Sequence, residues 1–206
     1  MKVKQLKVVV FITSFVPIFL LIGGLLTNQL GANPIETLTR ETGLWALRFL
    51  LLTLTVTPLK WLTGWNVLVT IRRMLGLYVF FYALLHMLLY LWLDQFFDVD
   101  EILKDIIKRP FITIGFFTFT ALIPLVVTSN NAMVKRLGGK RWKKLHQLTY
   151  LIAIASSIHF YMLVKQDKTE PLLYAGLLAL LLGMRLYQWY LKSASMVSPR
   201  NSFSRL

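Results

Sequence analysis

The chain has 206 residues, 56% of them hydrophobic and 16% charged, with a net charge of +14 and no cysteine. A soluble domain carries about 25% charged residues to clothe its outer faces, so composition excludes a soluble fold. The missing thiols exclude disulfides, iron–sulfur clusters and thiol catalysis, and any redox role must rest on a bound cofactor.

Apolar runs close to the roughly 20 residues that cross a hydrocarbon core recur along the whole sequence. The first covers 8–26, behind Lys2, Lys4 and Lys7. Its apolar stretch is too long for a signal peptide and no small-x-small site follows, so a retained helix is expected, kinked at Pro17. The second run, 44–59, is short and carries Arg48 about one turn from its outer end. The third, 75–93, carries His86, with Tyr82 and Tyr90 one turn to either side.

Between the third and fourth runs, 98–108 places Ile102, Leu103, Ile106 and Ile107 on one face and Asp100, Glu101, Asp105 and Lys108 on the other. This is an amphipathic connector expected to lie at the outer membrane surface, and Pro110 ends it. The fourth run is 111–128, with Pro124 inside. The fifth is 145–164, with His146 and His159. The sixth is 172–191, with Arg185 near its inner end. The expected fold is an all-α membrane protein of six transmembrane helices in a single domain over 1–206, with no internal repeat.

Lysines and arginines orient it. With both termini inside, fifteen fall on the inner side: Lys2, Lys4, Lys7, Lys60, Arg72, Arg73, Lys135, Arg136, Lys140, Arg141, Lys143, Lys144, Lys192, Arg200 and Arg205. Six fall outside: Arg40, Lys104, Lys108, Arg109, Lys165 and Lys168. This bias, facing an anionic leaflet, accounts for the net charge without nucleic acid.

The three histidines all fall in or at the ends of the runs. Ionisable groups inside a bilayer are expensive and mark function by default, although a lone one can also serve a helix–helix hydrogen bond. The third and fifth runs point the same way. His86 lies about 20 Å beyond Arg73 and His159 about 22 Å beyond Lys144 at 1.5 Å per residue, so the imidazoles share a depth in the outer half. Two imidazoles at one depth suit an iron held between them in a b-type haem. Zinc would want four ligands that are not there.

His146 sits at the inner interface, about 140° around an ideal helix from His159, and opposite it stand Arg72 and Arg73 rather than a histidine. A second haem with an unusual ligand, a flavin or quinone pocket, and a plain interfacial histidine all remain open for it. Arg48 and Arg185 can grip haem propionates or snorkel to the surface. Tyr82 and Tyr90 can line a haem edge or simply pack. The six tryptophans read as an interfacial belt.

Several strings then resemble a known family: R-R-M-L-G-L and A-L-L-H-M within 72–87, K-R-P-F-I-T-I-G at 108–115, W-K-K-L-H-Q-L-T-Y at 142–150 and S-S-I-H-F at 156–160. G-A-N-P at 31–34 and T-V-T-P-L at 55–59 add to them. Together they resemble the MsrQ (YedZ) family, in the ferric-reductase-like transmembrane group that includes NADPH oxidases.

The resemblance implies a bacterial inner-membrane protein with b-type haem, one or two, and an associated flavin (FMN). It implies electrons drawn from the quinone pool or a cytosolic flavin reductase. They would pass to a periplasmic molybdopterin methionine sulfoxide reductase (MsrP) that repairs oxidised proteins. His86, His146 and His159 match the family's histidines. Where NADPH oxidases place a fourth, this sequence has Arg72 and Arg73, guanidinium groups suited to a flavin phosphate. The sulfoxide chemistry is expected on the partner. A stand-alone ferric reductase or cytochrome b, and a non-redox transporter, are the alternatives. The first would want a nucleotide-binding G-x-G-x-x-G and the second broken helices at the midplane, and neither pattern is present.

Overall fold

The computed structural model describes residues 3–197, and these are helical with short connections and no strand. Lys2, Arg200 and Arg205, counted above among the inner charges, lie outside the described residues. The first run forms two helices, α1 (Val3–Thr13) and α2 (Val16–Leu26). They part because Pro17 has no N–H to continue the ladder. Around the break, Ser14 Oγ donates to Val10 O at 2.6 Å and Thr13 Oγ1 to Val9 O at 2.9 Å.

The second run is far longer than its apolar stretch: α3 is Pro34–Thr63. Its start follows ordinary capping chemistry. Asn33 accepts from Glu36 N, Pro34 occupies the first turn where its missing N–H costs nothing, and Glu36 faces the positive helix end. Gly64, at φ 71°, ends it with a bond from its N–H to Lys60 O; only glycine takes that left-handed conformation cheaply.

A short 3-10 turn (Asn66–Leu68) leads into α4 (Val69–Leu89), which ends in a π-helical turn at Tyr90–Asp94. Helix α5 (Val99–Lys108) is the amphipathic connector, capped by Asp98, whose carboxylate accepts from Asp100 N and Glu101 N. Its Leu103 and Ile107 stay exposed. Then come α6 (Pro110–Val127), α7 (Asn131–Leu137), α8 (Gly139–His146), α9 (Leu148–Leu163) and α10 (Thr169–Val197).

Five helical stretches are long and apolar enough to cross a membrane: Val3–Leu26, Pro34–Thr63, Asn66–Asp94, Pro110–Val127 and Thr169–Ala194. The fifth expected span differs from its prediction. The helix breaks at Gln147, so α8 takes the basic residues and α9 keeps a 16-residue apolar stretch. Leu148 to Leu163 at 1.5 Å per residue covers only about 24 Å. Pro124 sits inside α6 without splitting it.

Helix α3 is the hub. Half of its apolar window is buried inside the protein, against 11% for α6 and α10. It packs chiefly along α4, and α6 packs chiefly along α9. Leu44, Leu47, Leu50, Leu51 and Leu54 of α3 meet Ile71, Leu75, Val79 and Tyr82 of α4 in the core. Tyr82 is wholly buried, stacked on Phe49, and donates to Ser14 O at 2.7 Å; Tyr78 donates to Phe11 O at 3.0 Å. These two hydroxyls bind carbonyls beside the α1–α2 break, which would otherwise be stranded in an apolar setting. Elsewhere the helices turn leucines outward, as lipid requires: Leu26, Leu20, Leu173 and Leu186 are largely exposed.

Candidate functional site

His86 on α4 and His159 on α9 meet. Their ring centroids are 6.2 Å apart and the ring planes cross at 79°. Both rings are half-buried, and each is held in the same way. His86 Nδ1 lies 2.7 Å from Thr39 O on α3, and His159 Nδ1 lies 2.6 Å from Phe111 O on α6. A carbonyl oxygen only accepts, so each Nδ1 carries the proton and donates. Each Nε2 is therefore left with its lone pair. Fixing the tautomer through the distal nitrogen is how proteins prepare a histidine to bind metal.

Two glycines complete the seats. Gly43 lies against His86 and Gly115 against His159: a Cβ at either position would come within about 3.0 Å of the ring.

His146 lies elsewhere and is bound differently. Its Nε2 is 3.0 Å from Thr128 Oγ1, and its ring stacks on Trp142 with centroids 4.0 Å apart. Thr128 Oγ1 donates to Pro124 O at 2.6 Å, so its one proton is used and it accepts from His146. Trp142 Nε1 donates to Thr128 O at 2.9 Å. Arg72 and Arg73 come close enough for their charges to act on His146. Arg72 reaches Thr57 Oγ1 at 3.3 Å, and Arg73 reaches Asn131 Oδ1 at 2.6 Å. Neither arginine has a carboxylate partner among the described residues.

Arg48 is not near a helix end. Because α3 begins at Pro34, Arg48 lies mid-helix, over the Trp45 ring, with Nε donating to Tyr174 at 2.8 Å. Its guanidinium lies 3.5 Å from Glu41 and 4.0 Å from Glu170. The polar stretch 34–43 hid this from the hydropathy pattern. Arg185 donates to Leu54 O at 2.5 Å and sits over Tyr150. Tyr90 turns to Asp105 at 3.3 Å, and Tyr82 to Ser14; both hydroxyls are taken up by packing.

The structure thus brings His86 and His159 together, sets Arg72 and Arg73 within electrostatic reach of His146, and engages Arg48 with Tyr174, Glu41 and Glu170. Sequence reasoning passed over Gly43, Gly115 and the carbonyls of Thr39 and Phe111. The one signal available was two glycines inside helices, where each costs about 1 kcal/mol relative to alanine and so needs a packing reason. Trp142, assigned to the interfacial belt, is a working part of the inner cluster.

Comparison with known proteins fixes the kinship. The ferric reductase like transmembrane component family matches residues 42–157, which include His86 and His146 and stop two residues short of His159. A protein-methionine-sulfoxide reductase heme-binding subunit, MsrQ, of Herminiimonas arsenicoxydans is 52% identical over 88% of this chain and 84% of its own length. The chain belongs to the MsrQ family. Subunits with the same description from Azospira oryzae and Ralstonia nicotianae are 48% and 46% identical, over 91% and 93% of this chain and 81% and 88% of theirs. No solved structure matches. The chain is a multi-pass membrane protein of the ferric-reductase-like group.

Proposed function

We propose that this MsrQ-family chain holds a b-type haem between His86 and His159. Through it the chain passes electrons from the inner side of the membrane to a methionine sulfoxide reductase on the outer side. The observation that carries the reading is the paired seat: two imidazoles, each with Nδ1–H bound to a carbonyl and Nε2 free.

The centroid separation of 6.2 Å matches two imidazole–metal bonds of about 2 Å each plus the short step from nitrogen to ring centre. Among the described residues no group of three or more His, Asp or Glu could hold a metal on its own. A porphyrin would bring four ligands of its own and need only two imidazoles from the protein, which His86 and His159 would provide. Bound there, it would supply a one-electron carrier.

On this reading the chain crosses the bacterial inner membrane six times with both termini inside, the histidine pair lying in the outer half and Arg72, Arg73, Trp142 and His146 at the inner surface. The inner cluster offers one imidazole and two guanidinium groups without carboxylates, which suits an anionic donor: the phosphate of FMN, or a reduced quinone. His146 is read as a contact to that donor, not as half of a second haem pair. Arg48, balanced by Glu41 and Glu170, ties α3 to α10 and is not needed as a propionate clamp.

The test is a transfer assay on detergent-purified protein. Reduced chemically and mixed with a periplasmic molybdopterin methionine sulfoxide reductase, the haem reoxidises as methionine sulfoxide is consumed; the chain alone leaves the sulfoxide untouched. A reduced haem that ignores that partner but reacts at once with ferric chelates identifies a stand-alone ferric reductase.

A further inference from the structure

The two histidine seats share a construction that goes beyond the ligands themselves. On α3, the carbonyl that holds His86 belongs to Thr39, and the residue one turn on, beneath the ring, is Gly43. On α6, the carbonyl that holds His159 belongs to Phe111, and the residue one turn on is Gly115. The carbonyl and its histidine are 47 residues apart in the first case and 48 in the second. The arrangement is thus repeated in the α3–α4 and α6–α9 helix pairs, although position by position the strings T-R-E-T-G and F-I-T-I-G share only the glycine.

The physical reason lies in helix geometry. A carbonyl in a helix already accepts from the N–H four residues on, and the side chain at that later position leans back over the same turn. Glycine there leaves the carbonyl open to a second donor from the next helix. A Cβ on Gly43 would lie 3.0 Å from His86 Nδ1 and 3.1 Å from its Cε1. One on Gly115 would lie 2.9 Å from His159 Cε1 and 3.0 Å from Nδ1. Ordinary contact starts near 3.5 Å, so the ring must shift by several tenths of an ångström, and the atoms met include the Nδ1 that holds the tautomer. Other helix glycines give the contrast: Gly76, on α4 with His86, and Gly176 and Gly183 on α10 meet nothing within 4 Å, and Gly24 on α2 meets only the side-chain end of Leu30.

We propose that Gly43 and Gly115 are positioning residues for the two metal-binding imidazoles, each opening the carbonyl that fixes its histidine's tautomer and direction. The inference rests on the His86–His159 haem reading.

Its test substitutes Gly43→Ala and Gly115→Ala, with Gly76→Ala as the control, and follows ferric haem by electron paramagnetic resonance and redox titration. Both site variants lose most of the low-spin signal or bind haem roughly tenfold or more weakly, the usual cost of breaking an outer-shell bond. What haem remains titrates at a higher potential, because a weaker imidazole donor stabilises ferric iron less. Gly76→Ala matches wild type. Wild-type spectrum and potential in both site variants overturn the proposal.

Where Gly43→Ala reduces accumulation in the membrane, the double variant Gly43→Ala/His86→Ala decides. With the ring removed, the new methyl has nothing to strike, so the double variant accumulates and melts as His86→Ala alone does. A further loss in the double variant assigns Gly43 to helix packing and overturns the proposal. A wild-type protein that binds no haem sinks the haem reading instead, and this same cycle on the apo protein still reports whether Gly43 and His86 are coupled.

Discussion

His86 and His159 each give Nδ1–H to a backbone carbonyl and keep Nε2 free, whereas His146 commits Nε2 to the Thr128 hydroxyl and lies flat on Trp142. All three are membrane histidines in one chain, yet only two are presented as a facing pair. The difference lies in what stands opposite: each of the paired imidazoles faces a second one, which is what the proposed haem site needs, and His146 faces none. At the inner cluster Arg72 and Arg73 lie within electrostatic reach of His146, and their charge repels a cation and attracts an anion.

The largest effect that could break this contrast comes from the ligands. His86→Ala or His159→Ala removes one of two protein bonds to the metal, and bound haem per chain falls by about tenfold or more. Haem quantified on protein purified after haem-replete expression gives the result. Next comes His146→Ala, which keeps the outer haem's spectrum and slows its reduction by an inner-side donor, as measured by stopped-flow. Loss of all haem there would turn the inner histidine into a ligand.

A smaller effect follows from Arg72→Gln with Arg73→Gln: reduction weakens and loses its dependence on ionic strength, since screening acts on exposed charge, while haem content is unchanged. The smallest is Glu170→Gln. Its partners Arg40 and Arg48 are partly exposed, so the thermal midpoint moves by an amount worth less than about 1 kcal/mol, and neither cluster's spectrum responds.

Much of this contrast was legible in the sequence. The shared depth of His86 and His159 follows from counting residues along two parallel helices, and the structure brings the rings face to edge. The amphipathic helix after Asp98 was equally plain, because Ile102, Leu103, Ile106 and Ile107 recur at helical spacing. What could not be read was anything decided between helices. The carbonyls of Thr39 and Phe111 are main-chain groups, carried by every residue, so no letter of the sequence marks them. Helix α3 was underestimated by ten residues at its start: hydropathy fades through Glu36, Thr39, Arg40 and Glu41, although Asn33, Pro34 and Glu36 spell an N-terminal cap. The fifth span was drawn as one helix because nothing in L-H-Q-L-T announces the break at Gln147. The repeated seat escaped notice because it is a repeat of geometry, with a glycine as its main trace in the sequence.

Whether one haem is held between His86 and His159 is decided by the reduced-minus-oxidised spectrum and haem stoichiometry of the purified wild-type chain beside its three histidine-to-alanine variants. The expected result is a low-spin b-type spectrum in wild type, retained in His146→Ala and lost in both His86→Ala and His159→Ala. A wild-type low-spin spectrum that survives in both of the latter variants would contradict it.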